Sequence, residues 1–327
     1  NYLGLVFRIK TRPIFRPQFP DLIDTVFSSG GKGKVDSFGE THVKSVPHSE
    51  SESPAIDEVA GVATAIAGYL IREVLHLSKY YEVYRAYDPI TESSVVLKVL
   101  PKANHTPYLE ASLKREQGIL EKLSKHAELS SQVQHCSPEV LCFHEGEFGQ
   151  GLVLEDCPGQ TLEQWVNGEF LAASEIILFG KAIARALGMI HDVPIIHRDI
   201  APQNILWCRN SQTLTLLDFG MSTELTRQHP RVDEFERLEG TPAYLSPEQT
   251  GRMNRPITYQ SDYYSLGATL YFLATGEPVF DGKDTESLCT AHISQVPAPP
   301  VSKNPALPLA LSDIILKLLS KNTHQRY

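Results

Sequence analysis

The segment at residues 195–220 constrains this chain more than any other. Two carboxylates, Asp199 and Asp218, and the side-chain amide of Asn204 lie within 20 residues, each beside a short apolar run. Mg²⁺ takes hard oxygen ligands from one or two carboxylates and leaves its other positions to substrate phosphates. The segment therefore favours a divalent-metal site that serves a phosphorylated ligand.

An upstream strand and helix carry a second pair of charged residues. Residues 95–100 are aliphatic and β-branched, which predicts a strand, yet Lys98 stands where a buried strand should carry no charge. Residues 109–124 have the apolar periodicity of a helix, and Glu116 lies on it, 18 residues after Lys98. A buried lysine with a glutamate partner can hold phosphate oxygens, although such a pair is also often structural.

Two further elements are predicted downstream. Residues 151–155 form a strand, and the four residues after it must turn because they include Pro158 and Gly159. Residues 174–190 form a long helix with one apolar face, with Ser174 as its N-cap and Glu175 in its first turn.

Composition divides the chain ahead of these elements. Residues 1–27 place basic side chains among aromatic ones and form an N-terminal extension of unpredicted structure. Residues 28–60 are rich in serine, glycine and charge, and they cannot bury enough apolar surface to offset the entropy of ordering. We therefore predict a disordered linker there, followed by alternating strand and helix signals from Gly68 onward.

Charge, hydropathy and cysteine content exclude several classes of protein. The net charge of −9, from 30 basic and 39 acidic residues, argues against nucleic-acid binding. The longest apolar run, residues 59–71, is too short for a membrane span. Five cysteines without a CxxC motif fit reduced thiols and predict a cytoplasmic protein. Because the first residue is Asn1 and not Met, we expect a piece of a longer protein.

In order and spacing, these motifs resemble the protein kinases. His197, Arg198 and Asp199, with Asn204 five residues after the aspartate, match the catalytic-loop pattern H-R-D-x-x-x-x-N. Lys98 matches the strand lysine, residues 218–220 match the D-F-G motif, and residues 246–248 are a version of A-P-E. Asp262 matches the helix aspartate that ties down the catalytic loop, and Arg326 matches the arginine that pairs with the A-P-E glutamate.

The resemblance implies an α+β, two-lobed protein-kinase fold. A small β-rich N-lobe with one regulatory helix would cover residues 68–156. A larger, helical C-lobe would cover residues 157–327.

A narrower resemblance covers three stretches. Residues 154–159, 240–255 and 317–327 are similar to the Ser/Thr-kinase-like domains that begin large multi-sensor hybrid histidine kinases. In that family a P-loop ATPase, a GAF-type sensor and a histidine-kinase core follow in the same polypeptide. The resemblance implies a regulatory input domain of two-component phosphorelay signalling, with a protein substrate that the sequence does not identify.

The protein-kinase resemblance assigns a role to each matching residue. Lys98, held by Glu116, would contact the α- and β-phosphates of ATP. Asn204 and Asp218 would hold Mg²⁺, and Asp199 would orient the substrate hydroxyl and accept its proton.

A further set of residues would bind the adenine ring. Val83, Val96 and Leu206 would sandwich the base, while the carbonyl of Glu155 and the amide of Cys157 would bond its edge at the hinge. The three apolar residues would be equally ordinary as core side chains. Only their register with the motifs favours the binding role.

Two departures from the protein-kinase pattern predict slow phosphotransfer. The three glycine positions of the phosphate loop hold His76, Ser78 and Tyr81, whereas glycine lets the backbone approach phosphates closely. Ala201 stands where Ser/Thr kinases usually have Lys, and Gln203 stands where tyrosine kinases supply Arg. A missing cation beside the transferred phosphate removes electrostatic stabilisation, commonly worth about 3 kcal/mol.

Three functions remain open on these grounds. A Ser/Thr protein kinase is favoured by Thr241, whose position bonds the catalytic aspartate in Ser/Thr kinases. A pseudokinase would retain the fold as a scaffold or nucleotide sensor without phosphotransfer. A small-molecule phosphotransferase would not need the peptide-docking segment at residues 240–248.

Two contacts in the C-lobe are predicted as well. Glu248 and Arg326 should form a buried, bidentate ion pair beneath the substrate-docking segment. The activation segment, residues 218–248, has no hydroxyl residue between positions 227 and 240, where the usual phosphosite falls. Glu236 or Glu239 would therefore take the place of a phosphate against Arg198. The alternative is a solvated acidic loop.

Overall fold

The structure is a computed structural model that describes residues 65–129, 136–166, 170–225 and 241–327. The extension predicted at residues 1–27 and the linker predicted at residues 28–60 lie outside the described residues. The described residues form a β-sheet lobe followed by a mainly helical lobe.

An antiparallel sheet of six strands forms the first lobe. The strands are β1 (Ala65–Ile66), β2 (Tyr69–Leu77), β3 (Glu82–Asp88), β4 (Ser93–Pro101), β5 (Val140–Gly146) and β6 (Gly149–Glu155). Their spatial order is β1–β2–β3–β4–β6–β5, which places β4 inside the sheet. The strands predicted at residues 95–100 and 151–155 are confirmed within β4 and β6.

The period-two alternation of β4 sends its side chains to opposite faces of the sheet. Val95, Leu97 and Val99 belong to one apolar cluster. Leu100 belongs to the larger core that continues into the second lobe, and Lys98 projects on that same side. The strand therefore aims its one charged side chain between the two lobes.

Helix α1 (Pro107–Leu129) packs against this sheet and is longer than the predicted residues 109–124. Pro107 is tolerated at the first helical turn because that turn leaves its N–H groups without intrahelical partners. Leu109, Leu113 and Leu120 are buried along one stripe, and Glu116 lies buried on the same stripe. Helical periodicity thus turns a carboxylate toward β4.

The second lobe contains six described α-helices and five short strands, besides short 3-10 helices. The helices are α2 (Leu162–Val166), α3 (Ala173–Asp192), α4 (Tyr259–Thr275), α5 (Thr285–Ser294), α6 (Pro300–Lys303) and α7 (Leu309–Leu318). The strands are β7 (Gln160–Thr161), β8 (Ile195–Ile196), β9 (Ile205–Cys208), β10 (Thr213–Leu216) and β11 (Thr223–Glu224). The α+β class and the two-lobed arrangement predicted above are confirmed.

The prediction of Ser174 as the N-cap of the long helix is wrong. Helix α3 begins at Ala173 with Ala172 as its N-cap, so Ser174 lies inside its first turn. Glu175 reaches back and accepts a hydrogen bond from the backbone N–H of Ala172 at 3.3 Å. The glutamate therefore satisfies the helix entrance without a hydroxyl cap.

Helix α4 is the centre of the second lobe and is buried on nearly all sides by α3 and α7. Gly267 permits the close approach of α7, because a Cβ atom at this position would lie 2.6 Å from the Cβ of Leu318. Tyr264 and Tyr271, two of the largest fully buried side chains, fill the space around it. This rigid helix carries Asp262 in its first turn.

The short strands position two loops at the junction of the lobes. Strands β8 and β9 flank residues 197–204, and β10 and β11 flank residues 217–222. Strands β9 and β10 pair with each other, as do β8 and β11, so the two loops are fixed side by side. Among the described residues, no helix combines the length and apolar character that a membrane crossing requires. All five cysteines are described, and each is unpaired.

Candidate active site

Lys98 lies at the centre of a three-residue charge cluster between the lobes. Its Nζ is 2.7 Å from Oε2 of Glu116 on α1 and 2.7 Å from Oδ1 of Asp218 on the loop after β10. Burial alone would lower the pKa of Lys98, but the charges of Asp218 and Glu116 outweigh it and raise that pKa. Lys98 therefore stays protonated, as a group that binds phosphate oxygens must.

Asp218 faces the cleft in a strained backbone conformation. Its φ of 58° is unusual for a residue other than glycine, and its Oδ1 accepts a further bond from the N–H of Gly220 at 3.2 Å. Burial alone would raise its pKa, but Lys98 holds that pKa below the ordinary range. With 45% of its side chain exposed, the ionised carboxylate remains accessible to a ligand in the cleft.

The residues beside Asp218 tie its loop to both lobes. Phe219 is fully buried, and its ring centroid lies 4.6 Å from that of His197. On the other side, the hydroxyl of Ser112 on α1 donates to the carbonyl of Gly220 at 3.1 Å. The position of α1 and the conformation of this loop are thereby coupled.

Asp199 is buried and held by two neighbours. Asn204 Nδ2 donates to Asp199 Oδ2 at 2.7 Å, and the backbone N–H of Thr241 donates to Oδ1 at 3.1 Å. Burial, followed by the charge of Asp218, raises the pKa of Asp199 to about 6, while the two hydrogen bonds oppose the rise. A carboxylate poised near this pKa is ionised at neutral pH and suited to general-base chemistry.

Asp262 holds the backbone of the loop that carries Asp199. Its two oxygens accept the N–H groups of His197 at 2.9 Å and Arg198 at 2.8 Å, and His191 Nε2 lies 2.8 Å from Oδ2. Arg198 has a φ of 72°, a conformation that a non-glycine residue keeps only when its surroundings enforce it. The predicted role of Asp262 as the anchor of this loop is confirmed.

The donor set of Asn204 and Asp218 fits Mg²⁺. Asn204 Nδ2 is engaged by the carbonyl of Asp199 at 3.0 Å as well as by its carboxylate, which leaves the amide oxygen as the ligand atom. One amide oxygen and one carboxylate are the hard donors that Mg²⁺ uses when phosphates complete its coordination. Among the described residues there is no group of three or more His, Cys, Asp and Glu side chains arranged for a metal.

The predicted ion pair between Glu248 and Arg326 is confirmed. Both guanidinium nitrogens bond the carboxylate, with Nη1–Oε1 at 2.6 Å and Nη2–Oε2 at 3.0 Å, and both side chains are buried. Ser261 also donates to Oε1 of Glu248 at 2.8 Å, and Arg326 donates to the carbonyl of Gln260 at 2.7 Å. The pair therefore joins the segment after Thr241, helix α4 and the described C-terminal residues.

Comparison with known families identifies this arrangement. The family model described as "Protein kinase domain" matches residues 78–327. The chain belongs to the protein kinase family.

Individual protein kinases show the same relationship. The chain is 28% identical over 279 residues to the serine/threonine-protein kinase PksC of Streptomyces coelicolor, covering 82% of this chain and 48% of that protein. It is 30% identical over 268 residues to the serine/threonine-protein kinases PknB of Mycolicibacterium smegmatis and of Mycobacterium tuberculosis, covering 79% of this chain and 40% of each. The chain thus spans less than half the length of these relatives.

The residues predicted to hold adenine come from strands of both lobes and from the segment that follows β6. Val83 on β3 and Val96 on β4 are partly exposed, as is Leu206 on β9, whereas their strand neighbours are mostly buried. Glu155 is exposed at the end of β6, and Cys157 is buried just after it. Partial exposure fits a cleft lining better than a closed core, and the adenine role of all five residues stays a prediction.

The loop between β2 and β3 is held by hydrogen bonds of its own side chains and backbone. Ser78 Oγ accepts the N–H groups of Tyr80 at 3.2 Å and Tyr81 at 2.9 Å, and its hydroxyl donates to the Tyr81 carbonyl at 3.0 Å. Asn104 Nδ2 donates to the carbonyls of Lys79 at 3.0 Å and Tyr80 at 3.3 Å. The loop is therefore a turn closed by its own serine, and sequence reasoning missed this because no motif marks it.

The neutral amide of Gln203 on the catalytic loop contacts the peptide-docking segment. Ala201 is fully buried, and the Nε2 of Gln203 donates a short hydrogen bond to Oγ1 of Thr241. Sequence reasoning treated Gln203 as a lost arginine and missed this contact, which joins the catalytic loop to the peptide-docking segment. A second missed contact runs from Gln249 Nε2 to the carbonyl of Arg198 at 2.6 Å.

The hypothesis that Glu236 or Glu239 pairs with Arg198 involves residues 226–240, which lie outside the described residues. Arg198 itself is described, and its backbone is held by Asp262 and Gln249 as set out above. The charge-substitution hypothesis stays a prediction.

Proposed function

We propose that this chain is a Mg-ATP-dependent Ser/Thr protein kinase domain. The observation that carries the proposal is the joined cluster in which Lys98 contacts both Glu116 and Asp218 at 2.7 Å. A structural lysine–glutamate pair would not need a third, half-exposed carboxylate on the cleft side. That carboxylate, Asp218, is where an ATP-bound cation would be held.

Each residue performs one task in the proposed reaction. Lys98 binds and orients the α- and β-phosphates, and Glu116 keeps the lysine in place. Mg²⁺, held by Asp218 and Asn204, supplies neutralising charge to the phosphates when it is bound. Asp199 accepts the proton of the substrate hydroxyl as that oxygen bonds to the γ-phosphorus and the bond to ADP breaks.

Ser/Thr specificity is supported by Thr241 and by the relatives. Both the backbone N–H and the hydroxyl of Thr241 bond Asp199, so the threonine joins the general base to the peptide-docking segment. PksC and PknB are both named serine/threonine-protein kinases. We further propose slow turnover, since Ala201 supplies no cation and Gln203 supplies only a neutral hydrogen bond.

We also propose that this domain is the regulatory input of a cytoplasmic hybrid sensor kinase. The support is the narrow similarity of residues 240–255 and 317–327 described above. In this proposal a P-loop ATPase, a GAF sensor and a histidine-kinase core belong to the same polypeptide. Phosphotransfer from the purified domain to such a core would support it, whereas transfer only to unrelated proteins would contradict it.

Radiolabelled ATP tests the kinase proposal directly. The purified chain should label itself or a generic Ser/Thr substrate such as casein, and Asp199→Asn should reduce the rate by about 100- to 10,000-fold. Asp192→Asn is the matched control, because this carboxylate is exposed at the end of α3 and has no proposed role in the reaction. Equal labelling by wild type and Asp199→Asn would show that the label comes from another kinase.

A nucleotide-sensing pseudokinase is the second candidate function. The closed turn around Ser78 favours it, since the N–H groups that would approach phosphates already have an acceptor. In that case Mg-ATP would raise the melting temperature without any transfer of label. Ligand at a hundred times its Kd adds about 2.7 kcal/mol to the free energy of unfolding, which thermal denaturation resolves readily.

A further inference from the structure

Tyr81 contacts two parts of the candidate active site, although no kinase motif gives this residue a role. Its hydroxyl donates to the carbonyl of Leu109 in the first turn of α1 at 3.1 Å. Its ring lies beside Lys98, with Nζ 5.2 Å from the ring centroid, within cation–π distance. One side chain therefore touches both the helix that carries Glu116 and the lysine that Glu116 holds.

The loop that carries Tyr81 is fixed on its own side. Ser78 closes the turn through the N–H and carbonyl groups of Tyr81, and Asn104 holds the carbonyls of the two residues before it. Asn104 belongs to the 3-10 helix Lys102–Asn104, which directly follows β4. The phenol is thus attached to a braced turn, so its bond to α1 restrains the helix.

The bond to Leu109 acts at a useful point on α1. Leu109 is buried, and Glu116 lies seven residues further along, which is close to two helical turns. Residues seven apart share a face, so a restraint at Leu109 limits both translation and rotation of the face that carries Glu116. The carbonyl has two lone pairs and can accept the phenol in addition to its intrahelical bond.

We propose that Tyr81 is a positioning residue that latches α1 to the β2–β3 turn and thereby holds Glu116 on Lys98 before nucleotide binds. This inference rests on the proposed function, because it assigns the Lys98–Glu116 pair to phosphate binding. This proposal assigns a function to the tyrosine that stands at the third glycine position. In this proposal the hydrogen bond from the closed turn holds helix α1 in a fixed position.

Hydrogen exchange of the nucleotide-free chain tests the latch itself. Tyr81→Phe keeps the ring and removes only the hydroxyl, so the amides at residues 111–117 should exchange about 2- to 12-fold faster, the range for losing one hydrogen bond. Tyr80→Phe is the matched control and should leave these amides unchanged. Faster exchange spread evenly over the chain, or none at α1, overturns the latch.

Nucleotide affinity tests the role of the latch. Calorimetry should show the Kd of Mg-ATP weakened about 2- to 12-fold by Tyr81→Phe in the wild-type background. In a Glu116→Gln background the same change should have little effect, because the pair through which Tyr81 acts is already broken. An equal effect in both backgrounds overturns the positioning role.

A second variant, Tyr81→Leu, removes both the ring and the hydroxyl. Exchange at α1 should be at least as fast as in Tyr81→Phe, and the difference between the two variants measures the contribution of the ring. If wild type fails to bind Mg-ATP at all, the proposed function fails while exchange still decides the latch. If ATP binds and exchange at α1 is unaffected by either variant, the latch fails and the proposed function stands.

Discussion

The catalytic loop and the β2–β3 turn reach the same cleft but are held by different means. Around Asp199, the fixing groups are buried: Asp262 accepts two loop N–H groups with its side chain fully enclosed. Around Ser78, the fixing hydrogen bonds are largely exposed and local in sequence. The first region carries the catalytic-loop motif, and the second is a turn closed by its own serine.

This difference between buried and exposed hydrogen bonds predicts which parts of the site tolerate substitution. The catalytic loop depends on buried charges whose partners come from distant elements, so one replacement leaves a charge uncompensated. The turn is held by the neutral side chains of Ser78 and Asn104, which bond backbone groups of residues 79–81. The two regions should therefore respond very differently to mutation, and four predictions follow that difference from large to small effect.

Arg326→Met should have the largest effect, because it leaves the buried Glu248 carboxylate without its partner. Removing one member of a buried pair commonly costs about 3–5 kcal/mol of unfolding free energy. Urea denaturation measures the loss. The matched control is Glu286→Gln, which breaks the exposed pair with Arg252 at 3.2 Å and should cost less than about 1 kcal/mol. Similar losses for both variants would mean that burial does not set the energetics of this lobe.

The catalytic side of the cleft could be predicted from sequence far better than the loop side. Asp199, Asn204 and Asp218 belong to motifs with fixed spacing, and Asp262 and Arg326 follow from the same pattern. Lys98 was visible as a charge inside an apolar strand. These signals are strong because each residue type is required by chemistry that has few substitutes.

The contacts around Ser78 and Gln203 were not predictable in the same way. Serine, asparagine and glutamine form hydrogen bonds with many partners, so their presence in a sequence does not indicate which partner they take. The N-cap prediction for α3 failed for a related reason: the helix begins at Ala173, Glu175 bonds the backbone N–H of Ala172, and Ser174 lies within the first turn. Polar contacts of this kind depend on tertiary positions that periodicity does not report.

The pH dependence of turnover should show the buried state of Asp199. Its pKa is raised to about 6, and only the ionised carboxylate accepts the substrate proton. The value of kcat/KM should therefore be level at neutral pH and fall about tenfold per unit below pH 6. Melting temperatures over the same range control for unfolding. An acid limb centred near pH 4 would show that Asp199 is as solvated as an ordinary surface carboxylate.

Gln203→Arg should speed the reaction by restoring a cation beside the transferred phosphate. The expected rise in kcat is about tenfold, less than a fully preorganised donor would give, because the surrounding residues did not evolve around a guanidinium. Gln212→Arg adds the same charge at an exposed position and should leave kcat unchanged. A fall in kcat for Gln203→Arg would show that the bond to Thr241 matters more than the missing charge.

Ser78→Gly should have the smallest effect and tests the loop side directly. It frees the N–H groups of Tyr80 and Tyr81 for phosphate oxygens, while Asn104 still holds the turn that carries Tyr81. Glycine adds flexibility that costs about 0.5–1 kcal/mol on ordering. Two new hydrogen bonds worth about 1 kcal/mol each leave a net gain, so the Kd of Mg-ATP should tighten by about fivefold. Ser78→Ala frees the same groups without the added flexibility and should bind at least as tightly. If both variants bind Mg-ATP more weakly, the closed turn supports nucleotide binding by bracing Tyr81, and the contrast between the two sides of the cleft disappears.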